Sequence, residues 1–188
     1  MKIALIYGTA APAGRLSRAL EVFDGKVRAS GAQTSIIDLA EAPMPFAGMT
    51  PAPEMAATLD NALARITGAN SLALFAPIYR AAPPGALKNF LDLLPVEALE
   101  NKPVALISMG ASPHHYLANP VSLGPVLNWF GAIVLPGIYL MGRSFQEGAL
   151  TPEATAKIDG CARSLVEATR RLSGLRILPR PLAASSEG

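Results

Sequence analysis

The sequence has few charged residues and only one cysteine, and both shortages narrow the choice of protein class. Charged residues make up 16% of the 188 residues, below the roughly 25% of an average soluble protein. We therefore expect apolar surface to be buried between the subunits of a homodimer or homotetramer. The single cysteine, Cys161, cannot form an internal disulfide, which is typical of the reducing cytoplasm. It lies in a helical pattern, which favours a buried, inert thiol.

Long apolar runs and clusters of basic residues are missing as well. The longest strongly apolar segment, 131–141, has eleven residues and contains Pro136 and Gly137, whereas a helix needs about 20 residues to span a bilayer. No membrane span is predicted. The net charge is +2 and the basic residues are scattered, which argues against nucleic-acid binding. The first residues do not form a signal peptide, so we expect a cytoplasmic protein.

The chain instead shows a regular alternation of short apolar runs and amphipathic stretches. Unbroken apolar strands separated by helices predict a parallel sheet covered on both faces. The pattern predicts a flavodoxin-like doubly wound α/β fold of five strands in the order 2-1-3-4-5. This domain covers 1–175 and leaves 176–188 as a flexible tail. The predicted strands are 3–7, 34–39, 71–76, 103–108 and 132–135, and the predicted helices are 15–30, 53–68, 84–94, 120–130 and 152–172.

The loop after the first strand has the features of a phosphate site. It runs from Gly8 to Gly14, where a helix is predicted to begin at Arg15. The start of a helix presents unpaired N–H groups and the positive end of its dipole, and both attract phosphate. Thr9 and Ser17 add hydroxyl groups, and Arg15 adds a charged donor. The same residues also fit an ordinary strand-to-helix turn.

Two nucleotide-binding fingerprints do not fit this loop. A Walker A loop has four residues between its glycines and then Lys with Ser or Thr, whereas five residues separate Gly8 from Gly14 and Arg15 follows. The dinucleotide pattern needs a second glycine two positions after the first, and Ala10 stands there. Hydrolysis of ATP or GTP is therefore not expected, and a phosphate monoester such as FMN remains open.

Two further loops are predicted to join the first at the carboxyl ends of the strands, where ligands of doubly wound sheets bind. They span 76–80 and 108–112 and are rich in small residues and proline. Their backbone groups and the ring of Tyr79 can line a flat heterocycle, although Tyr79 also fits as a residue packed on the sheet edge. His114 and His115 follow without a further ligand pattern, so no metal site is predicted.

The segment 77–95 resembles a motif of NADPH-dependent FMN reductases. Its sequence PIYRAAPPGALKNFLDLLP fits the pattern P-x-Y-x5-G-x-L-K-x3-D-x-L. Gly8-Thr9 stands where that family usually has Gly-Ser, and Gly110-Ala111 where it often has Gly-Gly. The likeness extends from Met1 to about Leu140. Within the family, 86–95 and 123–127 are most similar to the reductase components of two-component alkanesulfonate monooxygenases, which reduce free FMN and pass it to a separate oxygenase.

The resemblance implies an oxidoreductase that uses NADPH or NADH to reduce FMN and that supplies the reduced flavin to a partner monooxygenase. Hydride passes directly between the two ring systems, so no catalytic side chain is expected. The residues that the resemblance places at the flavin are Thr9, Arg15, Leu16 and Ser17 around the phosphate, Pro77, Ile78, Tyr79 and Arg80 along the isoalloxazine, and Ser108, Gly110 and Ala111 at its other edge.

Two departures from the family pattern keep alternatives open. Ala111 places a methyl group where the family has glycine, which narrows the approach to the flavin. Val121 stands where the alkanesulfonate-linked reductases carry an inserted tyrosine associated with flavin exchange. One alternative is a reductase of quinones, azo compounds or metal oxyanions with tightly bound FMN. Others are a flavodoxin-like electron carrier, against which the net charge of +2 argues, and a flavin-less binding protein of the same fold.

Overall fold

A parallel β-sheet forms the middle of the molecule, seen in a computed structural model that describes residues 1–42 and 44–175. The predicted tail at 176–188 lies outside the described residues. The sheet has the order β2-β1-β3-β4, followed by two short strands that both pair with β4. The predicted order 2-1-3-4-5 is thereby confirmed. The strands are β1 (Lys2–Tyr7), β2 (Gln33–Asp38), β3 (Ser71–Pro77), β4 (Pro103–Met109), β5 (Ile133–Val134) and β6 (Ile138–Leu140).

The last position of the sheet is split between β5 and β6 by Pro136 and Gly137. A Cβ atom at Gly137 would lie 2.6 Å from the carbonyl oxygen of Leu106, so only glycine lets the chain pass this close to β4. The sequence predicted a single strand at 132–135. The second piece places Tyr139 opposite Ser108 of β4, at the carboxyl end of the sheet.

Five α-helices in the described residues cover the two faces of the sheet. Helices α1 (Arg15–Ala29) and α5 (Pro152–Leu172) bury one set of apolar side chains, while α2 (Pro53–Thr67), α3 (Gly85–Asp92) and α4 (Ala118–Trp129) bury the other. Because successive strand residues point to opposite faces, a sheet covered on both sides has continuous apolar strands. None of the helices in the described ranges combines the length and hydropathy that a bilayer crossing requires.

A short hairpin replaces the irregular connection that the sequence predicted at 143–148. Strands β7 (Phe145–Gln146) and β8 (Ala149–Leu150) pair in antiparallel fashion. The two residues between them, Glu147 and Gly148, have φ angles of 50° and 81°. This combination is the two-residue turn whose twist matches that of a hairpin.

Candidate functional site

Backbone hydrogen bonds hold the predicted loops side by side beyond the ends of the strands. The N–H of Gly8 donates to the carbonyl oxygen of Phe75 at 2.8 Å, which joins the first loop to β3. The N–H of Ile78 donates to the carbonyl oxygen of Met109, also at 2.8 Å, which joins the second loop to β4. The three segments expected to form a site therefore meet at one edge of the sheet.

Gly8 lets α3 approach the first loop closely. A Cβ atom at this position would lie 2.9 Å from Cδ2 of Leu87, which is fully buried on α3. The segment that carries the family resemblance thus packs directly against the start of the phosphate loop. A larger residue at position 8 would push the two apart.

The start of α1 presents two backbone N–H groups and one guanidinium. The N–H groups of Arg15 and Leu16 belong to the first turn and have no acceptor within the helix. Arg15 is exposed, and its Nη1 atom would lie 3.5 Å from a Cβ atom at Gly142, which places the guanidinium beside the chain that leaves β6. This arrangement suits an anion with several oxygen atoms.

The side chains of Ser17 and Leu16 offer no free hydrogen-bond donor to a ligand at this loop. Oγ of Ser17 donates to the carbonyl oxygen of Gly14 at 2.6 Å and accepts the N–H of Gly14 at 3.1 Å. Its one proton is used, so Ser17 stabilises the loop instead of presenting a free donor. The side chain of Leu16 is buried in the core beneath α1. Only its backbone N–H is available to the phosphate that the resemblance assigns to it.

Thr9 and Tyr79 connect the first loop to the second. Thr9 is only 2% exposed, and its Oγ1 accepts the N–H of Ala11 at 3.1 Å. The same Oγ1 atom lies 3.2 Å from Oη of Tyr79, whose side chain is 48% exposed. The Tyr79 hydroxyl is therefore fixed at one end while its ring remains accessible to a ligand.

The second loop contains a strained two-residue turn that the sequence did not predict. Tyr79 and Ala82 exchange two backbone hydrogen bonds of 2.9 and 3.0 Å. Between them, Arg80 and Ala81 have φ angles of 50° and 62°, in the left-handed region that such turns usually fill with Asn and Gly. Each of these conformations costs of order 1–3 kcal/mol, and such strain clusters at ligand-binding sites. Neither residue type signals this turn, which is why sequence reasoning missed it.

Tyr139, a residue that sequence reasoning also missed, holds the third loop through a hydrogen bond. Its hydroxyl group donates to the carbonyl oxygen of Ser112 at 2.5 Å. A Cβ atom at Gly110 would overlap the hydroxyl oxygen of Tyr139, so any larger residue there would displace the tyrosine ring. Burial raises the pKa of Tyr139, which keeps its hydroxyl protonated as a donor. Ala111, the departure from the family pattern, is exposed.

Tyr7 is buried at the end of β1, where the first loop begins. Burial raises the pKa of Tyr7, and the charge of Asp38 and the nearby Tyr79 raise it further. The phenol therefore stays neutral at physiological pH.

Of the predicted site residues, Ser108 is buried on β4, and the other ten lie on the three loops, at the strand ends beside them or in the first turn of α1.

The two histidines lie next to the third loop, in a short 3-10 turn at Pro113–His115. Nδ1 of His115 is 3.3 Å from Oγ of Ser112, which orients the half-buried ring. His114 is exposed. Within the described part of the chain, no three His, Cys, Asp or Glu side chains gather closely enough to hold a metal ion.

Comparison with protein families gives one match over most of the chain. The model of the family described as NADPH-dependent FMN reductase matches residues 1–147. This range contains all three loops, the strained turn and Tyr139. It ends within the hairpin between β6 and α5, so α5 lies outside the match.

Individual relatives agree with the family match. NADH-dependent FMN reductase SfnF of Pseudomonas fluorescens is 32% identical over 122 residues, which are 64% of this chain and 65% of that protein. An FMN reductase (NADPH) of Pseudomonas aeruginosa is 31% identical over 119 residues, or 63% of this chain and 64% of that protein. The aligned region thus spans just under two thirds of the length of either relative.

Solved structures with the same fold cover nearly the whole chain. The apo form of an NADH:FMN oxidoreductase, EMOB, superposes with a TM-score of 0.75 at 25% identity and covers 98% of this chain and 96% of that one. A flavodoxin of Bacillus cereus superposes with a TM-score of 0.64 at 17% identity and covers 89% and 98% of the two chains. The second likeness shows the fold alone.

Proposed function

The chain belongs to the family of NADPH-dependent FMN reductases, and from this premise we propose that it is an oxidoreductase that transfers a hydride from NADPH or NADH to FMN. The observation that carries the proposal is the convergence of three loops at one edge of the sheet. One loop offers helix N–H groups and Arg15 to a phosphate. The others offer the ring of Tyr79 and exposed backbone to a flat heterocycle.

The residues present fit FMN, whose ring accepts the hydride when it is bound. Arg15 and the first N–H groups of α1 hold the phosphate, while Thr9 and Tyr79 present a hydroxyl proton beside it. The turn at 79–82 and the loop that begins at Gly110 would contact the ring. Hydride transfer needs alignment of two rings and no proton donor from the protein, so the chain contributes binding and orientation.

The activity is tested by following the oxidation of NADPH and NADH by the purified full chain, with and without added FMN. Riboflavin and FAD serve as alternative flavins. We expect oxidation that depends on FMN and saturates with it. A chain that neither binds FMN nor oxidises either nucleotide in its presence would overturn the proposal and leave the flavin-less binding protein as the better description.

We further propose that the reduced flavin leaves the protein and serves a partner monooxygenase. Support comes from the segments 86–95 and 123–127 and their likeness to alkanesulfonate-linked reductases. Val121, which stands in place of the tyrosine of those enzymes, is 65% exposed on α4, so no core packing depends on its side chain. If FMN is a diffusing substrate, initial rates should give intersecting double-reciprocal lines and the protein should purify colourless.

The competing possibility is a tightly bound FMN that reduces quinones, azo compounds or metal oxyanions. Such an enzyme purifies yellow and gives parallel lines, because NAD(P)H reduces the bound flavin and leaves as NAD(P)⁺ before the acceptor enters. That pair of observations would exclude supply of free reduced flavin.

We also propose that the protein is cytoplasmic, since the free thiol Cys161 suits a reducing compartment.

Association into a homodimer or homotetramer is the remaining part of the proposal. Helix α4 has no charged residue, and its large apolar side chains Val121 and Trp129 are exposed. Trp129 also borders a cavity of about 540 Å³ with Leu91 of α3 and Val96. We propose that a second copy of the chain covers this surface.

Light scattering at micromolar concentration tests this association. A mass at a multiple of 19.6 kDa is expected, and Trp129→Glu should shift the mass toward the monomer because it places a charge in the interface. Arg163→Glu, a change of an exposed residue on α5, is the control and should leave the mass unchanged. A monomer mass for the unaltered chain would refute the association.

A further inference from the structure

Asn119 forms a buried connection between α4 and the end of β3. It is the second residue of α4 and is 0% exposed. Its Nδ2 atom donates a hydrogen bond of 2.9 Å to the carbonyl oxygen of Ala76, a residue 43 positions earlier in the chain. Ala76 directly precedes Pro77, the last residue of β3, after which the chain enters the turn at 79–82. The bond therefore fixes the point from which the second loop leaves the sheet.

The other end of the same amide has no such bond. Oδ1 of Asn119 is buried and has no hydrogen-bond partner among the residues that the structure describes. Burying a carbonyl oxygen without a donor is unfavourable, whereas an apolar side chain of similar size avoids this cost. Asn119 therefore reduces the stability of the fold at this position while providing one bond to the Ala76 carbonyl group.

The second loop needs such a restraint because its turn is strained. Left-handed conformations at Arg80 and Ala81 persist only where the surrounding structure holds them in place. The bond from Ile78 to β4 holds one side of the loop, and the contact with Thr9 holds the Tyr79 hydroxyl. Asn119 on α4 adds a further restraint, because its side chain holds Ala76 near the end of β3.

We propose that Asn119 is a positioning residue for the flavin ring. Its amide fixes the end of β3 so that the backbone of 77–80 and the ring of Tyr79 lie in the orientation that receives the isoalloxazine. Asn119 itself is fully buried and contacts no ligand. The assignment rests on the proposed function, because it presumes that the second loop lines the flavin.

The test replaces Asn119 by leucine in the full-length chain, with Thr169→Val as the matched control. Thr169 is a buried polar residue on α5, and its Oγ1 donates to the carbonyl oxygen of Leu165 at 2.6 Å. The same oxygen lies 2.7 Å from Oγ of Ser71, whose hydroxyl donates to it, at the amino end of the same strand β3. Both variants remove a side-chain bond to β3. Only Asn119→Leu removes it at the end that carries the loop.

We expect Asn119→Leu to weaken the binding of FMN and the binding of riboflavin by about tenfold each. It should also change the absorbance spectrum of the bound flavin. Its melting temperature without flavin should equal or exceed that of the unaltered chain, because the unpartnered oxygen is gone. Thr169→Val should lower the melting temperature and leave the dissociation constants within about twofold. Loss of both flavins together distinguishes ring positioning from phosphate binding.

Two results would overturn the assignment. One is unchanged flavin affinity and spectrum in Asn119→Leu while the unaltered chain binds FMN, which leaves the proposed function intact. The other is a parallel loss of stability and affinity like that of a purely structural bond. If the leucine variant does not fold, Asn119→Val decides by the same measurements. Absence of FMN binding by the unaltered chain would remove the proposed function and this assignment together.

Discussion

The hydroxyl oxygens of Thr9 and Tyr79 lie 3.2 Å apart and share one hydrogen bond between the first and second loops. The pair carries two hydroxyl protons, and that bond uses one of them. Oγ1 of Thr9 also accepts the N–H of Ala11, which consumes an acceptor position and no hydroxyl proton. Whichever hydroxyl donates to the other, one proton remains for an acceptor on a ligand.

This proton count predicts different effects for two substitutions of Tyr79. Tyr79→Phe removes one proton and keeps the ring, and Thr9 can then offer its own proton to the ligand. We expect FMN to bind about threefold more weakly at most. Tyr79→Ala removes the aromatic surface as well and should weaken FMN by tenfold or more. Titrations that follow quenching of flavin fluorescence measure both. Equal losses would mean that the phenol oxygen, and not the ring, carries the contact.

A second prediction concerns the close approach of Gly110 to Tyr139. Gly110→Ala places a methyl group against the Tyr139 oxygen, so the tyrosine ring or the third loop must move, at a cost of about 1–3 kcal/mol in unfolding free energy. Tyr139→Phe alone should cost about 1 kcal/mol, because the bond to Ser112 is lost. The double variant should be more stable than Gly110→Ala, since removal of the oxygen makes room for the methyl group.

Urea unfolding of the four proteins measures this coupling. Flavin affinity should follow the same order, because the third loop is proposed to border the ring. Additive losses in the double variant would contradict the close contact. Gly124→Ala is a control, since a Cβ atom at Gly124 meets no other atom within 4 Å.

Local sequence signals were sufficient for the sheet order and for most element boundaries. The helices predicted at 53–68 and 152–172 begin at Pro53 and Pro152 in the structure, whereas those predicted at 84–94 and 120–130 begin at Gly85 and Ala118. The loop that we propose as the phosphate site was predicted because glycine, hydroxyl and arginine lie within a few residues of one another. The resemblance to a known family supplied the proposed ligand, which no local pattern could give.

The features that were missed depend on residues far apart in the sequence. The Tyr139 hydroxyl reaches Ser112 across 27 positions, and the Asn119 amide reaches Ala76 across 43. Neither distance leaves a local pattern. The turn at Arg80 and Ala81 was missed for a different reason, because its residue types are unfavourable for a left-handed turn. Strain of this kind is visible only in the backbone angles.

A third prediction concerns pH and Cys161. Burial on α5 raises the pKa of its thiol from 9.0 to about 11, so the thiol is protonated in the folded chain at a pH where the unfolded chain ionises. Stability is therefore unaffected below about pH 8 and is lost as the pH rises through 9 toward 11. From pH 8 to pH 10 the thiol should remove about 1 kcal/mol of unfolding free energy.

Urea unfolding at these two pH values, with Cys161→Ala for comparison, isolates this contribution. The variant still contains Tyr7 and Tyr139, whose raised pKa values act in the same direction, so the difference between the two pH dependences belongs to the thiol. The native chain should also react slowly with a thiol reagent at pH 8 and rapidly once unfolded. Rapid reaction of the folded chain would show that Cys161 is accessible, against its burial.

The last prediction separates the phosphate from the ring. Arg15 is exposed and lies beside Gly142, so a charged bond to phosphate is partly screened by solvent and should contribute about 1.5 kcal/mol, the low end for such bonds. Arg15→Ala should therefore weaken FMN about tenfold. Arg15→Lys should restore part of the affinity, because the charge returns without the two-pronged geometry.

Riboflavin serves as the control, because it has no phosphate and should bind all three proteins equally well. Because salt screens exposed charges, the advantage of the unaltered chain over Arg15→Ala should shrink at high ionic strength. Equal losses for FMN and riboflavin would instead place Arg15 at the ring, and the phosphate would then have to be held by the first N–H groups of α1 alone.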